Sequence, residues 1–453
     1  MTIQASTYME EYKKKLVSAD QAVKLVKSGD WVEYGEFMMQ AKDLDAALAR
    51  RKDELKDVKI RVVTCTFMPE VVKVDPEREH FIFNDWHFSG VTRGLQGKNL
   101  CNYIPLTYHE AGKFIEDFVH IDVAFMPVGP MDEHGFFNIG TSNSISAYVR
   151  DKSKIKILEV NTSAPKCLGG SKEAIHISEI DYIVESQTNP KLLSLPELPV
   201  SDVDKKIASL VLEQMEDGCC LQLGIGAMPN AVGAMIAESD LKDLGVHTEM
   251  LVDSYVDMYN AGRITNSRKQ IDKGKMVYTF AMGTDKLYDF MHDNPVCASY
   301  PVGYTNDPYV IGQNDKVIGI NNAIEVDLYG QVASESSGFK HISGTGGQFD
   351  FIMGSYRSKG GKGFICLSST ATLKDGTKVS RIRPTLSPGT TITVPRSCVY
   401  YVCTEYGITN LKAKSTWERA EALINIAHPD LRDELVKEAE KMSLWTRSCK
   451  INN

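Results

Sequence analysis

One short stretch constrains the fold most: an apolar run is followed at once by two glycines and then by a helical segment. The run is Leu221-Gln222-Leu223, the glycines are Gly224 and Gly226, and residues 229–238 have helical periodicity. Two glycines after a strand let the backbone turn tightly and approach a ligand closely. The first N–H groups of a helix lack intrahelical acceptors and can face an anion. We therefore expect a strand–turn–helix unit with its ligand at the turn.

A second strand is predicted just downstream, ending at Glu249. His247 and Glu249 are two residues apart, so on a strand they would share one face. We interpret Glu249 as a nucleophile whose substrate is held in part by the glycine turn. The plainer interpretation is a solvated or salt-bridged glutamate. A GxG turn alone is weakly specific, and Pro229 stands where a dinucleotide-binding motif has its third glycine.

Apolar strand-like segments alternate with helical ones along the whole chain. Examples are residues 58–67, 121–128, 155–160, 276–280, 317–320, 364–367 and 391–394. This alternation predicts an α/β fold with largely parallel sheets. Residues 189–202 carry three prolines and read as an extended connector, with Ser201 or Asp202 capping the next helix. A chain of 453 residues favours two domains. We predict domains 1–200 and 201–453, the second carrying Glu249.

Composition excludes several function classes. The net charge is −8, so there is no excess of Lys and Arg to neutralise the phosphates of a nucleic acid. No run of about 18 apolar residues and no signal-like N-terminus is present, so we expect a cytoplasmic protein without a membrane partner. The ten cysteines form no CxxC pair and no Cys/His ligand spacing. Reduced, mostly buried thiols and no bound metal are expected.

Three further segments could contact a ligand. In 343–351, Gly344, Gly346 and Gly347 present backbone N–H groups that could bind a phosphate or an oxyanion, although a tight loop explains them equally well. Asn321 ends a predicted strand, where α/β sheets place ligands, although Asn also tolerates turns. Lys359 lies in a short basic run that is either solvated or close to cofactor phosphates.

The triplet Asp132-Glu133-His134 is less informative. Its spacing fits no metal-binding motif, so a structural loop shaped by the neighbouring glycines is favoured.

Six segments, in order, resemble the acetyl-CoA hydrolase/transferase family of family I CoA-transferases. They are LGIGAMPNAV, LGVHTEML, INNAIEVDLYGQVASES, SGTGGQFDF, SKGGKGFICLSSTA and VCTEYGITNLKAKS. GPMDEHGFFNIGTSN and HISEIDYIVE extend the resemblance into the first half, so that it covers nearly the whole chain. Within the family the chain is most similar to members that act on butyryl-CoA and acetate or on 4-hydroxybutyrate.

The resemblance implies two open α/β domains with the active site between them. It places the catalytic glutamate on Glu249 and the amide contact to the acyl adduct on Asn321. CoA-contacting positions fall on Gly224, Ile225, Gly226, Ala227, Met228, Gly344, Gly346, Gly347 and, less clearly matched, Lys359. It also implies a homodimer or homotetramer, with coenzyme A and acyl-CoA as substrates and no tightly bound cofactor. The segment after Tyr34 is expected to shape the acyl pocket.

The chemistry expected from this resemblance is exchange of CoA between a short-chain acyl-CoA and an acid such as acetate. Such an exchange without net hydrolysis passes through covalent intermediates. A hydrolase that uses the same site but admits water is the nearest alternative. A nucleotide-binding or regulatory α/β protein without turnover is a more distant one. The donor and acceptor acids stay open, because one methylene changes the binding free energy by only about 1–3 kcal/mol.

Overall fold

The computed structural model describes residues 3–196 and 198–444, and by its contacts it divides into two compact units. The first unit comprises Met1–Leu195, Glu249–Asp253 and Lys275–Thr305. The second comprises Pro196–Thr248, Ser254–Gly274 and Asn306–Asn453. Each unit contains one large sheet with helices between its strands, so the predicted α/β class with mainly parallel sheets is confirmed.

The secondary structure is as follows. Strands β1 to β14 are Trp31–Glu36, Met39–Gln40, Val58–Val63, Phe81–Asp85, Asn102–Tyr103, Val123–Val128, Phe136–Asn138, Ile155–Val160, Ala174–His176, Tyr182–Glu185, Cys220–Leu223, Gly245–Val246, Met250–Leu251 and Met276–Tyr278. Strands β15 to β27 are Phe280–Ala281, Cys297–Ser299, Val317–Asn322, Glu325–Asp327, Val332–Ala333, Ser336–Ser337, Lys340–His341, Lys362–Cys366, Thr370–Thr372, Lys378–Ser380, Ile382–Arg383, Tyr401–Thr404 and Gly407–Asn410. Helices α1 to α16 are Ile3–Lys15, Ala19–Ala22, Lys42–Ala49, Glu70–Val74, Gly90–Gln96, Ala111–Phe118, Ser146–Lys152, Asp202–Leu212, Ala227–Glu238, Asp253–Asn260, Asp285–Met291, Val302–Thr305, Pro308–Ile311, Gln348–Arg357, Thr416–Asn425 and Arg432–Lys441.

The sheet of the first unit has the order β10-β8-β6-β1-β3-β4-β5, with β2 added to β1 as a hairpin partner. The strands on this path pair in parallel. From β1 the chain moves outward through β3, β4 and β5, and it returns to the other side of β1 at β6. The winding therefore reverses between β1 and β6, and in open α/β sheets ligands bind at the carboxyl ends of such strands.

The sheet of the second unit has the order β12-β11-β17-β22-β26-β27, in parallel up to β26 and with β27 antiparallel. Here the chain runs from β11 to β12 on one side and from β17 to β22 on the other. The reversal point lies between β11 and β17. The glycine turn predicted from the sequence therefore follows one of the two strands that flank this point.

The predicted connector at 189–202 and the predicted helix cap after it are confirmed. The described residues of 189–201 form neither helix nor strand, as the prolines indicated. Ser201 caps α8 by accepting the N–H of Asp204 at 3.1 Å, in a reciprocal capping box. The predicted strand at 391–394 is wrong: Val394 makes only an isolated bridge to Val332, since Pro395 follows immediately and cannot continue a ladder.

The strand predicted to end at Glu249 is also wrong. β12 ends at Val246: the N–H of His247 still donates to the carbonyl oxygen of Leu221 at 3.1 Å, but no strand pair with β11 follows it in the described residues. The Val246 N–H, which faces away from β11, is taken by the side chain of Asn266 at 2.9 Å. The next strand, β13, starts at Met250 and pairs with β15. His247 and Glu249 therefore do not share a strand face. For the same reason the Glu249 segment groups with the first unit, whereas the predicted division placed it in the second.

Other features concern cysteines, metals and membranes. Nine cysteines are free thiols, eight of them buried and Cys398 partly exposed; Cys449 lies outside the described residues. In the part of the chain that the structure describes, no cluster of three or more His, Cys, Asp or Glu side chains could hold a metal ion. Within that same part, every helix is too short or too polar to cross a bilayer.

Candidate active site

The glycine turn Gly224–Met228 lies at the carboxyl edge of the second sheet, beside the end of β17. The N–H of Gly224 donates to the carbonyl oxygen of Ile320 at 2.9 Å, which continues the ladder one residue beyond β11. The chain then leaves the sheet. Ile225 is 56% exposed, an unusual position for a large aliphatic side chain. The turn thus presents its backbone and one apolar side chain at the point where the winding reverses.

Gly226 is required by the geometry of this turn. Its φ is +131°, a conformation that L side chains rarely adopt. A Cβ at this position would also lie 2.9 Å from Nδ2 of Asn322. Gly226 is the N-cap of α9 and contributes no side-chain cap. The N–H groups of Ala227 and Met228, at the start of the helix, lack intrahelical acceptors and can meet an anionic oxygen.

Two neighbouring asparagines at the end of β17 differ in their roles. Asn321 is buried, and its Nδ2 donates to Oε1 of Gln222 in β11 at 3.0 Å. Asn322 is exposed, and its Nδ2 donates to the carbonyl oxygen of Ile225 at 3.3 Å. Asn322 therefore joins the end of β17 to the glycine turn directly, whereas Asn321 is held by Gln222. Sequence reasoning missed Gln222, although a polar residue inside an apolar strand was a usable signal.

The second glycine loop meets the same edge of the sheet. Gln348, the first residue of α14, donates from Nε2 to the carbonyl oxygen of Asn322 at 2.7 Å. Gly347 is the N-cap of this helix, and Gly346 has a φ of +53°. The structure thus brings Gly224–Met228, Asn321 and Gly344–Gly347 together, with two helix N-termini beside them.

Glu335 holds this second loop in place through its backbone and its side chain. Its backbone oxygen accepts the N–H groups of Ile342 at 2.7 Å and Ser343 at 3.2 Å. Its buried carboxylate accepts from the Thr345 hydroxyl at 3.2 Å and from Thr393 at 3.2 Å. The loop is therefore a restrained structure, which fits a binding loop and a tight structural loop equally well.

Lys359 is not brought to these loops. It follows the C-terminal end of α14, and its carbonyl oxygen accepts the N–H of Lys316, the residue before β17, at 2.8 Å. Both residues therefore mark the amino edge of the sheet. The ten residues of α14 span about 15 Å, and this length separates Lys359 from the glycine loop at the other end of the helix.

The Glu249 backbone is held inside the first unit. Its carbonyl oxygen accepts the N–H groups of Thr279 at 3.0 Å and Phe280 at 3.2 Å, and its side chain is half-buried. The carbonyl oxygen of Thr279 in turn accepts the N–H groups of Asn143 at 3.0 Å and Ser144 at 3.1 Å. Thr279 thus donates its N–H to the Glu249 carbonyl and accepts the 143–144 backbone at its own carbonyl oxygen, and these bonds hold the Glu249 backbone in place. None of these partners was identified from the sequence.

The segment after Tyr34 lies close to the same backbone. Phe37, at the turn between β1 and β2, stacks on Phe280 with ring centroids 3.6 Å apart and planes 6° from parallel. Its φ of +48° is uncommon for an aromatic residue, so tertiary packing maintains this conformation. The N–H of Phe280 donates to the Glu249 carbonyl, so Phe280 links the Phe37 ring to the backbone of the candidate nucleophile. The role of this segment in shaping an acyl pocket stays a prediction.

The loop with Asp132 is structural, as predicted. Oδ1 of Asp132 accepts the N–H groups of His134 and Phe136, both at 2.9 Å. The carboxylate is therefore used to form the turn. Part of this loop borders an open cavity of about 610 Å³ in the first unit.

Comparison with known proteins assigns this arrangement to a family. Residues 1–192 match the acetyl-CoA hydrolase/transferase N-terminal domain, and residues 283–439 match the C-terminal domain of the same family. Together the two matches cover well over half of the chain.

Full-length relatives agree with this assignment. A butyryl-CoA:acetate CoA-transferase of Anaerostipes caccae is 53% identical over 446 residues, which cover 98% of this chain and 100% of that protein. A probable butyrate:acetyl-CoA coenzyme A-transferase of Syntrophomonas wolfei is 53% identical, covering 98% and 99% of the two chains. The crystal structure of RipA from Yersinia pestis has a TM-score of 0.87 and 35% identity, covering 97% and 100%. The chain belongs to the acetyl-CoA hydrolase/transferase family and is a CoA-transferase, an enzyme whose substrates are CoA thioesters.

Proposed function

We propose that this enzyme moves CoA between a short-chain acyl-CoA, with butyryl-CoA the first candidate, and a carboxylic acid such as acetate. The observation that carries the proposal is the 53% identity to the Anaerostipes caccae enzyme along its full length. The proposal further includes a cytoplasmic homodimer or homotetramer. No tightly bound cofactor enters the reaction, because the thioester itself supplies the activated group.

In the proposed mechanism, the carboxylate of Glu249 attacks the acyl carbonyl carbon and expels the CoA thiolate. This step forms a mixed anhydride. The thiolate then attacks the γ-carbonyl carbon of Glu249, which forms a glutamyl-CoA thioester and releases the first acid as its carboxylate. The second acid attacks the glutamyl thioester, and the same two steps in reverse produce the new acyl-CoA and regenerate Glu249. No water is consumed, and no redox change takes place.

Each attack develops negative charge on a carbonyl oxygen. The N–H groups of Ala227 and Met228 at the start of α9, and of the Gly344–Gly347 loop, are proposed to stabilise these oxyanions. Comparable donors lower the barrier by about 3–4 kcal/mol each in other enzymes. The restrained turn supports this role. Gly226 adopts a φ of +131° that turns the chain into α9, and the Asn322 amide holds the Ile225 carbonyl oxygen. Asn321 is proposed to contact the acyl adduct.

The acyl group is proposed to lie against Phe37. The ring packs on Phe280, whose N–H holds the Glu249 carbonyl, so its position is tied to that of the nucleophile. An apolar wall at this position would suit a short alkyl chain and limit its length.

The nearest competing function is hydrolysis of the thioester at the same site. Exclusion of water separates the two activities. Consumption of butyryl-CoA and appearance of acetyl-CoA and free CoA are therefore measured with and without acetate. A transferase forms acetyl-CoA with parallel reciprocal plots for the two substrates and, in the absence of acetate, consumes butyryl-CoA only to the extent of one enzyme equivalent. Steady release of CoA that ignores acetate would identify a hydrolase instead. Testing 4-hydroxybutyrate as the acceptor in the same assay decides the substrate class.

A further inference from the structure

Glu36 is a buried carboxyl group that the proposed reaction does not use. It is the last residue of β1, at the strand pair where the winding of the first sheet reverses, and only 2% of it is exposed. The N–H of Ile145 donates to both carboxylate oxygens, at 3.2 Å each, and the Ser146 hydroxyl donates at 2.8 Å. Ile145 is the N-cap residue of α7, so the carboxylate lies at the N-terminus of that helix. Glu36 therefore fixes the start of α7 and the loop before it.

That loop leads directly to the candidate nucleophile. The Ser142 hydroxyl donates to the backbone oxygen of Glu36 at 3.2 Å. The next two N–H groups, of Asn143 and Ser144, donate to the carbonyl oxygen of Thr279. The N–H of Thr279 then donates to the carbonyl oxygen of Glu249 at 3.0 Å. Three successive hydrogen-bonded links thus connect residue 36 to residue 249, all within the first unit.

A second connection runs through the side chain that follows. Phe37 stacks on Phe280, and the N–H of Phe280 also donates to the Glu249 carbonyl. The two routes converge on the same carbonyl oxygen. A displacement of Glu36 would be transmitted by the hydrogen-bonded loop and by the aromatic stack together.

Burial of this carboxyl group is costly, so packing alone does not explain it. Desolvation by burial raises the pKa of Glu36 to about 8, against the opposing hydrogen bonds from Ser144 and Ser146, and the nearby Glu33 raises it further. A well-packed apolar side chain would avoid that cost. What an apolar side chain could not do is hold the Ile145 N–H and the Ser146 hydroxyl in place.

We infer that Glu36 is a positioning residue, which fixes the 142–146 loop and through it the backbone that carries Glu249. The inference rests on the proposed role of Glu249 as nucleophile. Misplacement of a reacting group by about 1 Å can cost about 10²-fold in rate. Loss of the Glu36 anchor therefore slows attack on the thioester more than it weakens the binding of acyl-CoA.

The test is Glu36→Gln, assayed above pH 8 so that the wild-type side chain is an ionised carboxylate; the substitution keeps the size of the side chain but places an amide opposite two donors. We expect kcat, and the rate at which the Glu249 peptide gains CoA without an acceptor, to fall about 10- to 100-fold. The KM for butyryl-CoA should stay within about threefold of wild type, because binding is not the step affected.

Glu159→Gln is the matched control. Glu159 is also 2% exposed, burial raises its pKa to about 8, and it accepts the Leu44 N–H at 2.8 Å near the start of α3. It has no hydrogen-bonded route to the Glu249 carbonyl among the described contacts. Its kcat should stay within about twofold of wild type. An equal loss of kcat in both variants would overturn the inference, since it would indicate a general effect of removing a buried carboxylate.

Folding is monitored by thermal unfolding of each variant. If Glu36→Gln does not fold, Ser146→Ala removes one donor and should slow adduct formation about 3- to 10-fold. Wild-type adduct rates in a folded Glu36→Gln enzyme, or in Ser146→Ala when Glu36→Gln is unfolded, would overturn the inference. Absence of a Glu249 adduct in the wild type is a different result: it would overturn the proposed mechanism, and the inference with it.

Discussion

Asn322 donates from its side-chain amide to the carbonyl oxygen of Ile225 at 3.3 Å, so the end of β17 holds the glycine turn that follows β11. Gln348 holds the backbone of the same asparagine at 2.7 Å. One exposed residue thus connects both glycine-containing loops. The candidate oxyanion donors therefore have a common support at the reversal point of the second sheet.

Substitution of Gly226 tests the turn. Gly226→Ala forces a Cβ into a φ of +131° and to within 2.9 Å of the Asn322 amide. We expect kcat/KM to fall at least about 100-fold through loss of oxyanion donors, and the free energy of unfolding to fall by about 1–3 kcal/mol. Steady-state kinetics and urea titration measure the two effects.

Gly274→Ala is the control for that variant. Gly274 also has a positive φ, +76°, but nothing lies within 4 Å of its Cβ position. It should lose stability through backbone strain and keep its turnover. If Gly226→Ala also keeps its turnover, the turn does not act on the reacting carbonyl.

Phe37 sets the length of the acyl group in this account. Phe37→Leu shortens the wall beside Phe280, so the ratio of kcat/KM for hexanoyl-CoA to that for butyryl-CoA should rise about 5-fold or more. Phe83→Leu, another buried phenylalanine of the first unit, should leave the ratio unchanged. An equal shift in both variants would exclude a specific role for Phe37.

Oxygen transfer follows from the atom balance of the anhydride steps. In the first half-reaction the bridging oxygen of the anhydride comes from Glu249 and leaves with the released acid. In the second half-reaction the bridging oxygen comes from acetate and stays on Glu249 when the thiolate attacks the acetyl carbon. Acetate labelled with ¹⁸O should therefore leave label in the Glu249 carboxylate after one turnover, and peptide mass spectrometry would detect it. Label found only in released products would contradict an anhydride on Glu249.

The buried carboxyl groups give a defined dependence of stability on pH. Burial raises the pKa of Glu159 to about 8, above its usual value of 4.5, so the folded state retains a proton that the unfolded chain loses. This contribution to stability is complete below the unfolded pKa and is lost as pH rises through about 8. Glu159→Gln should therefore lose less stability than wild type between about pH 5 and pH 8. Parallel stability curves for the two proteins would contradict this assignment.

Local signals in the sequence were sufficient for the sheet class and for the glycine turn. A strand, two glycines and a helix are adjacent in the chain, so their arrangement follows from backbone preferences alone. The same holds for Ser201, which caps the helix immediately after it. In each case the interacting groups are neighbours along the chain.

The remaining features depend on partners that are distant in the chain. Glu36 and Phe37 acquire their roles from Ile145 and Phe280, which no local pattern identifies. The break at Glu249 has a similar origin, since its apolar surroundings suggest one continuous strand. Its carbonyl instead bonds to the N–H groups of Thr279 and Phe280, and that competition is decided by tertiary packing.

The role of Glu249 as nucleophile is tested most simply by the mass of the enzyme after incubation with butyryl-CoA and no acceptor. We predict a gain of one CoA less one water, located on the peptide that contains Glu249 and removed when acetate is added. Glu249→Gln should fold normally, gain no mass and retain less than about one per cent of wild-type turnover. Two results would contradict Glu249 as the nucleophile. One is an unmodified Glu249 peptide in a wild-type preparation that transfers CoA once acetate is supplied, and the other is normal turnover by Glu249→Gln.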